Sequence, residues 1–349
     1  MIRQHGKLTF LSFLLVVLCG NTFAQKIPVI PLDLDSLITV GYATGSLKTL
    51  SGSVEKITEK QMNKDQVTNP LEAIRGRVPG LTIQRGTNGL AALDAVRLRG
   101  TTSLTSGNDP LIIVDGVFGD LSMLTSIYPT DIESFTILKD ASETAQYGSR
   151  GASGVIEVTT KKGMQGRTQV AYNGSFGIST VYKNLKMLSG DEFRSVASER
   201  GISILDKGNN TNFQKEIQQT GLQQNHHVAF YGGSSTSSYR VSLGFMDRQG
   251  VILNEDMKNF TSNMNMNQKM FDGFFDCELG MFGSILKNHN LVDYQKTFYS
   301  AATFNPTYPN HKDPVTNSWD GITTASQITN PLAWMQVDDD DATSHISTH

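Results

Sequence analysis

From Gly166 onward the sequence keeps a two-residue rhythm. In 169–179 the residues Val170, Tyr172, Phe176 and Ile178 fall on one face, with Ala171, Asn173, Ser175 and Gly177 on the other. Tyr239, Val241, Leu243 and Phe245 oppose Arg240, Ser242, Gly244 and Met246 in the same way. Within 271–284, Phe275, Cys277, Leu279 and Met281 oppose Asp276, Glu278, Gly280 and Phe282. Neighbouring side chains on a strand point to opposite faces, so each segment predicts a strand with one apolar, aromatic face that must be covered. Lipid covers it in the wall of a β-barrel, and a second sheet covers it in a soluble sandwich. The Gly, Ser, Asn and charge of the other face suit a wet barrel lumen, and so does an export signal upstream.

That signal is residues 1–24. Arg3 and Lys7 precede an apolar run from Leu8 to Cys19, and Thr22-Phe23-Ala24 offers a cleavage site before Gln25. The run is shorter than the about 18 residues a membrane-spanning helix needs. A lipoprotein alternative at Cys19 meets the bulky Leu18 where a small residue belongs. Cleavage leaves Cys277 as the one cysteine, which excludes an intrachain disulfide and metal sites built on paired Cys. No later run is long enough for a membrane helix, so a membrane form of this chain is a barrel. The formal net charge of -3 gives no basic footprint, and nucleic acid is excluded as a partner.

After a proline-bearing extended leader (25–35), Leu37-Ile38-Thr39-Val40 is a β-prone run stopped by Gly41, and 53–57 is a second strand candidate. The first is either an edge strand of the next domain or a strand presented for capture by a partner's sheet.

Residues 69–162 form a compact α/β unit. Asn69 caps a helix with Pro70 at its first position, and Leu71, Ala73, Ile74 and Val78 make its apolar face up to Pro79-Gly80. Strands are expected at 81–84, at 111–114 ending in the tight turn Asp115-Gly116, at 132–138 and at 154–160, with a short helix over 140–146. Val96 and Leu98 alternate with Arg97 and Arg99, giving one buried and one cationic face. Farther along, 189–201 and 212–221 read as two helices outside the wall, and 303–349 as a polar, turn-rich tail.

No catalytic constellation is present. GSRGASG (148–154) lacks the Lys-Ser or Lys-Thr and the following helix of a phosphate loop, so a tight turn is expected. His226 and His227, read at the start of a strand, point to opposite faces and cannot chelate one metal. Asp338 to Asp341 reads as a solvated acidic loop. No metal site and no cofactor are expected, and the chain is not read as an enzyme.

Taken in order, LITVGYATGSLKTLSGSV, NPLEAIRGRVPGLTIQ, VRLRGTTSL, PLIIVDGV, DIESFTILKDASETAQYGSRGASGVIEVTTKKG, SYRVSLGFMDRQGVI and FNPTYP resemble the N-terminal part of SusC/RagA-type TonB-dependent outer-membrane transporters. The resemblance runs from about Ser36 to near the C-terminus. It implies an α/β plug domain followed by the beginning of an antiparallel transmembrane β-barrel, with a signal peptide at 1–24, a periplasmic leader at 25–50, the plug at 51–165 and incomplete barrel wall with extracellular loops at 166–349. It also implies import of oligosaccharides or peptides, a SusD-like surface lipoprotein as lid, outer-membrane lipid around the wall, and energy coupling by TonB. Asp35, Ser36, Leu37, Ile38, Thr39, Val40, Gly41 and Tyr42 occupy the place of the TonB box. The Arg97 and Arg99 face is expected to meet acidic groups on the inner side of the wall.

Transporters of this kind usually carry a longer N-terminal extension. Five or six wall strands are countable here, against about 22 in barrels that hold such a plug. An open edge in lipid leaves backbone groups unpaired, so the sequence is expected to be a fragment of a longer transporter. The alternative is a secreted or surface-attached binding protein with a free-standing plug-like domain and a soluble β-sandwich.

Overall fold

The computed structural model describes residues 37–40, 43–46, 52–63, 67, 69–86, 90, 94–104, 107–291, 293–320, 329–336 and 338–348. Asp35, Ser36, Gly41, Tyr42 and the segment read as a signal peptide lie outside them.

Strand β1 (Leu37–Val40) pairs antiparallel with β2 (Ala43–Ser46) in a two-stranded sheet of its own, not as an edge of the next domain. β3 (Val54–Thr58) then enters the α/β unit. Helix α1 (Pro70–Ile74) starts where the sequence places it: the Asn69 side chain accepts from the Leu71 N–H at 3.0 Å, Pro70 sits at the first turn, and Leu71, Ala73 and Ile74 are buried. β4 (Leu81–Gln84) and β5 (Ala95–Leu98) make a hairpin in which Val96 and Leu98 are buried and Arg97 is exposed.

β6 (Leu111–Val114) is buried along its whole length and turns through Asp115 and Gly116 into β7 (Val117–Gly119). Both turn residues have positive φ, 47° and 88°, the two-residue hairpin geometry that an Asp-Gly pair favours. The Asp115 carboxylate reaches across to accept from the Thr160 N–H and hydroxyl, at 2.9 and 2.5 Å.

Helix α2 (Leu121–Thr125), β8 (Ile132–Leu138), α3 (Ala141–Thr144) and β9 (Val155–Thr160) complete the unit. Its sheet has the order β3-β8-β9-β6-β7, with β6 and β9 parallel and the other neighbours antiparallel. One cluster, including Leu71, Ile74, Val96, Leu124, Phe135 and Ile156, fills the core between the sheet and α1, α2.

Past Gly163 the chain builds a second sheet of long strands: β10 (Gly166–Ser179), β11 (Gly221–Gly233), β12 (Ser237–Gln249), β13 (Asp256–Met270), β14 (Phe275–Leu291) and β15 (Asp338–Thr348). All neighbours are antiparallel and in sequence order. Short turns close one end. At the other end, 180–220 and 292–337 make long excursions carrying α4 (Gly190–Glu199), α5 (Phe213–Glu216), α6 (Tyr294–Thr303) and α7 (Pro331–Trp334). Ser189 and Glu192 form a reciprocal capping box at α4. Short turns at one rim and long loops at the other is the asymmetry of outer-membrane barrels.

Three expectations are corrected. The 303–349 tail is not turn-rich throughout: it contains α7 and β15, and the Asp338–Asp341 run is the start of β15, paired with 288–291 of β14. Backbone pairing along a long neighbour overrides the low strand preference of aspartate. His226 and His227 lie mid-strand in β11, not at its start. The 271–284 segment begins as a turn at Phe271–Gly273, with the strand starting at Phe275.

Candidate functional site

The wall sheet has two chemically different faces. Val170, Tyr172, Phe176, Ile178, Leu243, Phe245, Phe260, Leu279, Met281 and Ile285 point away from the plug and are exposed. Gln223, Asn225, His227, Arg240, Ser242, Thr261, Asn263, Asn265 and Ser284 point toward it and are buried. A soluble sandwich would put the first set inside. Here the polar set is covered, and the plug covers it.

The covering contact centres on Asp131, in the 3-10 turn Pro129–Asp131 that leads into β8. The Lys161 N–H, just past β9, donates to its backbone carbonyl at 2.7 Å and fixes the turn to the plug sheet. Its carboxylate then faces the wall. Arg240 Nη2 donates to Oδ1 at 2.9 Å, the Ser242 hydroxyl donates to Oδ2 at 2.6 Å, and His227 Nε2 lies 3.0 Å from Oδ1. Arg240 and Ser242 are two residues apart on β12 and so share a face, and His227 comes from the adjoining strand β11. Burial alone would push the Asp131 carboxyl up, but the close His227 ring together with the bonds from Ser242 and Arg240 outweighs it and holds the group below its ordinary value.

Tyr128 extends the contact. Its ring stacks on His227 with centroids 4.6 Å apart and planes 19° from parallel. Gly244 leaves the room for it: a Cβ there would come within 2.5 Å of the Tyr128 ring and of Thr261 Oγ1. Burial, and after it the Asp131 charge, push the Tyr128 hydroxyl up to about 12, so it stays protonated beside the carboxylate. Lower on the junction, Asn265 of β13 donates to Thr160 Oγ1 at 3.2 Å, Lys162 pairs with Glu278 of β14, and Phe282 of β14 joins the plug's own buried cluster.

Of the predicted site residues, Leu37, Ile38, Thr39 and Val40 form β1. Arg97 is exposed on β5, while Arg99, just past it with φ 62°, pairs with Asp140 inside the plug. The seating residues Tyr128, Asp131 and His227 escape sequence reasoning because their contacts join segments about a hundred residues apart. The available signal was the polar inner face of β12, which already contained Arg240 and Ser242.

Beyond the wall, α4, α5 and α6 border a partly open cavity of about 350 Å³ lined by Phe193, Phe213 and Phe304 with Asn210 and Asn212.

Residues 46–155 match the model of the TonB-dependent receptor plug domain. The TonB-dependent receptor SusC of Bacteroides thetaiotaomicron is 34% identical over 316 residues, covering 85% of this chain and 31% of SusC. This chain is SusC/RagA-like: the plug domain and part of the barrel of a TonB-dependent receptor. A second such receptor, from Formosa agariphila, is 34% identical over 266 residues, covering 76% of this chain and 26% of that receptor. The fold is shared with the structure of the RagAB peptide importer in its open-open state, at a TM-score of 0.74 and 24% identity, over 90% of this chain and 40% of that one. The receptor chain thus spans about a third of the length of the curated relatives it matches. The family is one of outer-membrane transporters without enzymatic activity.

Proposed function

We propose that the receptor chain serves in TonB-dependent import of nutrient oligomers, oligosaccharides or peptides, across the outer membrane of a Gram-negative, Bacteroidetes-like cell. The carrying observation is the junction: a plug held by a buried charge cluster against the polar face of a wall whose opposite face is apolar and exposed. A plug so placed blocks a lumen, and a blocked lumen needs work to open.

In this reading residues 1–24 direct export, 25–50 form the periplasmic leader, 51–165 the plug and 166–349 barrel wall with its outer loops. Asp35 to Tyr42 is the TonB box, a strand that TonB captures by edge addition and pulls. A likeness to the RagAB peptide importer supports peptides as one substrate class and a SusD-like lipoprotein as the lid, while oligosaccharides rest on the sequence resemblance to SusC/RagA-type transporters. Arg97 and Arg99 are taken as plug contacts to the barrel, Arg97 through its exposed side chain.

Uptake of labelled oligosaccharides and labelled peptides by cells carrying the complete receptor tests this. Accumulation of one class that collapses with a protonophore, while surface binding persists, is expected. Accumulation indifferent to the protonophore, or of neither class, removes the proposal.

A further inference from the structure

Gly52 and Ser53 are the last two residues before β3, the edge strand of the plug sheet. Both of their N–H groups are held by carboxylates that follow β8. The Gly52 N–H donates to Glu143 Oε1 at 2.8 Å, and the Ser53 N–H donates to Asp140 Oδ2 at 2.5 Å. The Ser142 hydroxyl donates to Glu143 Oε2 at 2.5 Å, and the Arg99 guanidinium pairs with Asp140 Oδ1. Arg99 is itself anchored, its N–H donating to the Gly80 carbonyl at 2.8 Å.

Two details separate this arrangement from ordinary helix capping. Asp140 stands at the N-cap of α3, where an aspartate side chain normally accepts from the first turn, yet it makes no bond to that helix. It turns to Ser53 and Arg99 instead. Gly52 lies where any side chain would collide with the Glu143 carboxylate, since a Cβ there would overlap it. The Ser53 N–H first, and Arg99 after it, hold the Asp140 carboxyl below its ordinary value, so it is charged at any physiological pH.

The position in the chain gives these bonds their meaning. The ladder between β3 and β8 begins at Val54 opposite Leu138, and the ion pairs Lys139–Glu55 (2.8 Å) and Lys161–Glu59 (2.7 Å) lie beyond that start. Tension arriving from the N-terminal side therefore meets Gly52 and Ser53 before it meets the sheet.

We propose that Asp140 and Glu143, with Arg99 behind Asp140, are positioning residues of a clasp that keeps the entry to β3 docked on the plug until tension along the leader breaks it. The proposal rests on the TonB-driven reading for its source of tension. The clasp itself does not depend on that reading. Its release passes the tension on to the ladder between the edge strand β3 and β8, and β8 begins directly after Asp131, the residue that contacts the wall.

Hydrogen exchange on the complete receptor tests the clasp, with Asp140→Asn, Glu143→Gln, the double variant and Gly52→Ala, which evicts only the Glu143 arm. The Gly52 and Ser53 amides are expected to exchange about tenfold faster in the double variant, with β8 and β9 amides unchanged. Pulling the leader of the same variant by force spectroscopy is expected to lower the first rupture force and leave later ones in place. Unchanged exchange and rupture force would overturn the clasp, and so would uniform loosening of the whole plug, which marks a merely structural role. Failure of the TonB reading shows elsewhere: uptake would then ignore deletion of 35–42, while the exchange and force results stand.

Discussion

Asp131 of the plug accepts a 2.9 Å hydrogen bond from Arg240 of wall strand β12, across a junction in which both residues are buried. They are 109 positions apart in sequence, and the bond joins the gate to its frame. A buried pair of this kind is weak evidence for net stability, because both charges lose water, but it is costly to break on one side. Its value here is in fixing where the plug sits.

Replacing Asp131 by Ala leaves Arg240 buried without its carboxylate, and plug seating is expected to weaken by about 3 kcal/mol. Denaturant titration of the complete receptor, followed by proteolysis of the plug, measures it. The pH dependence follows from the lowered Asp131 value. A carboxylate depressed by folding contributes fully above its unfolded pKa, about 3.9, and loses that contribution as pH falls through the lower folded value. The difference between wild type and Asp131→Asn is therefore expected to shrink as pH falls below about 4.

Gly244→Ala places a methyl group against the Tyr128 ring and Thr261. Overpacking at such a site costs about 1–3 kcal/mol. Gly107, with open space around it, is the control position. Protease release of the plug is expected to accelerate in Gly244→Ala and to stay at the wild-type rate in Gly107→Ala.

Phe282→Ala removes a wall side chain that is 2% exposed and belongs to the plug core. The loss is expected to be about 3–5 kcal/mol, as for other buried phenylalanines. Phe260→Ala on the same wall, where the ring points outward, is expected to leave plug unfolding unchanged. Equal effects would mean that the two faces are not distinct.

The elements legible in the sequence were those fixed by neighbours. The Asn69 cap, the Asp115-Gly116 turn and the β6 core strand need only a few adjacent residues to be recognised, and the two-residue alternation assigned Arg240 and Ser242 to one face before any partner was known. His226 and His227 likewise separate, one exposed and one buried. What stayed hidden depends on distant pairing. β15 opens with four aspartates that look like a solvated loop, and only hydrogen bonding to β14 makes them strand. β13 alternates Asn with Met and Phe, a weak hydropathy signal whose Asn263 and Asn265 are buried by the plug. Arg99 shows its charge in the sequence, while the pairing with Asp140 within the plug is visible only in the folded chain.

The most direct measurement is energised uptake by the complete receptor after deletion of Asp35 to Tyr42, run beside surface binding of the same labelled substrate. The account predicts that uptake falls to the level of de-energised cells while binding is unchanged. Uptake that survives the deletion would contradict it.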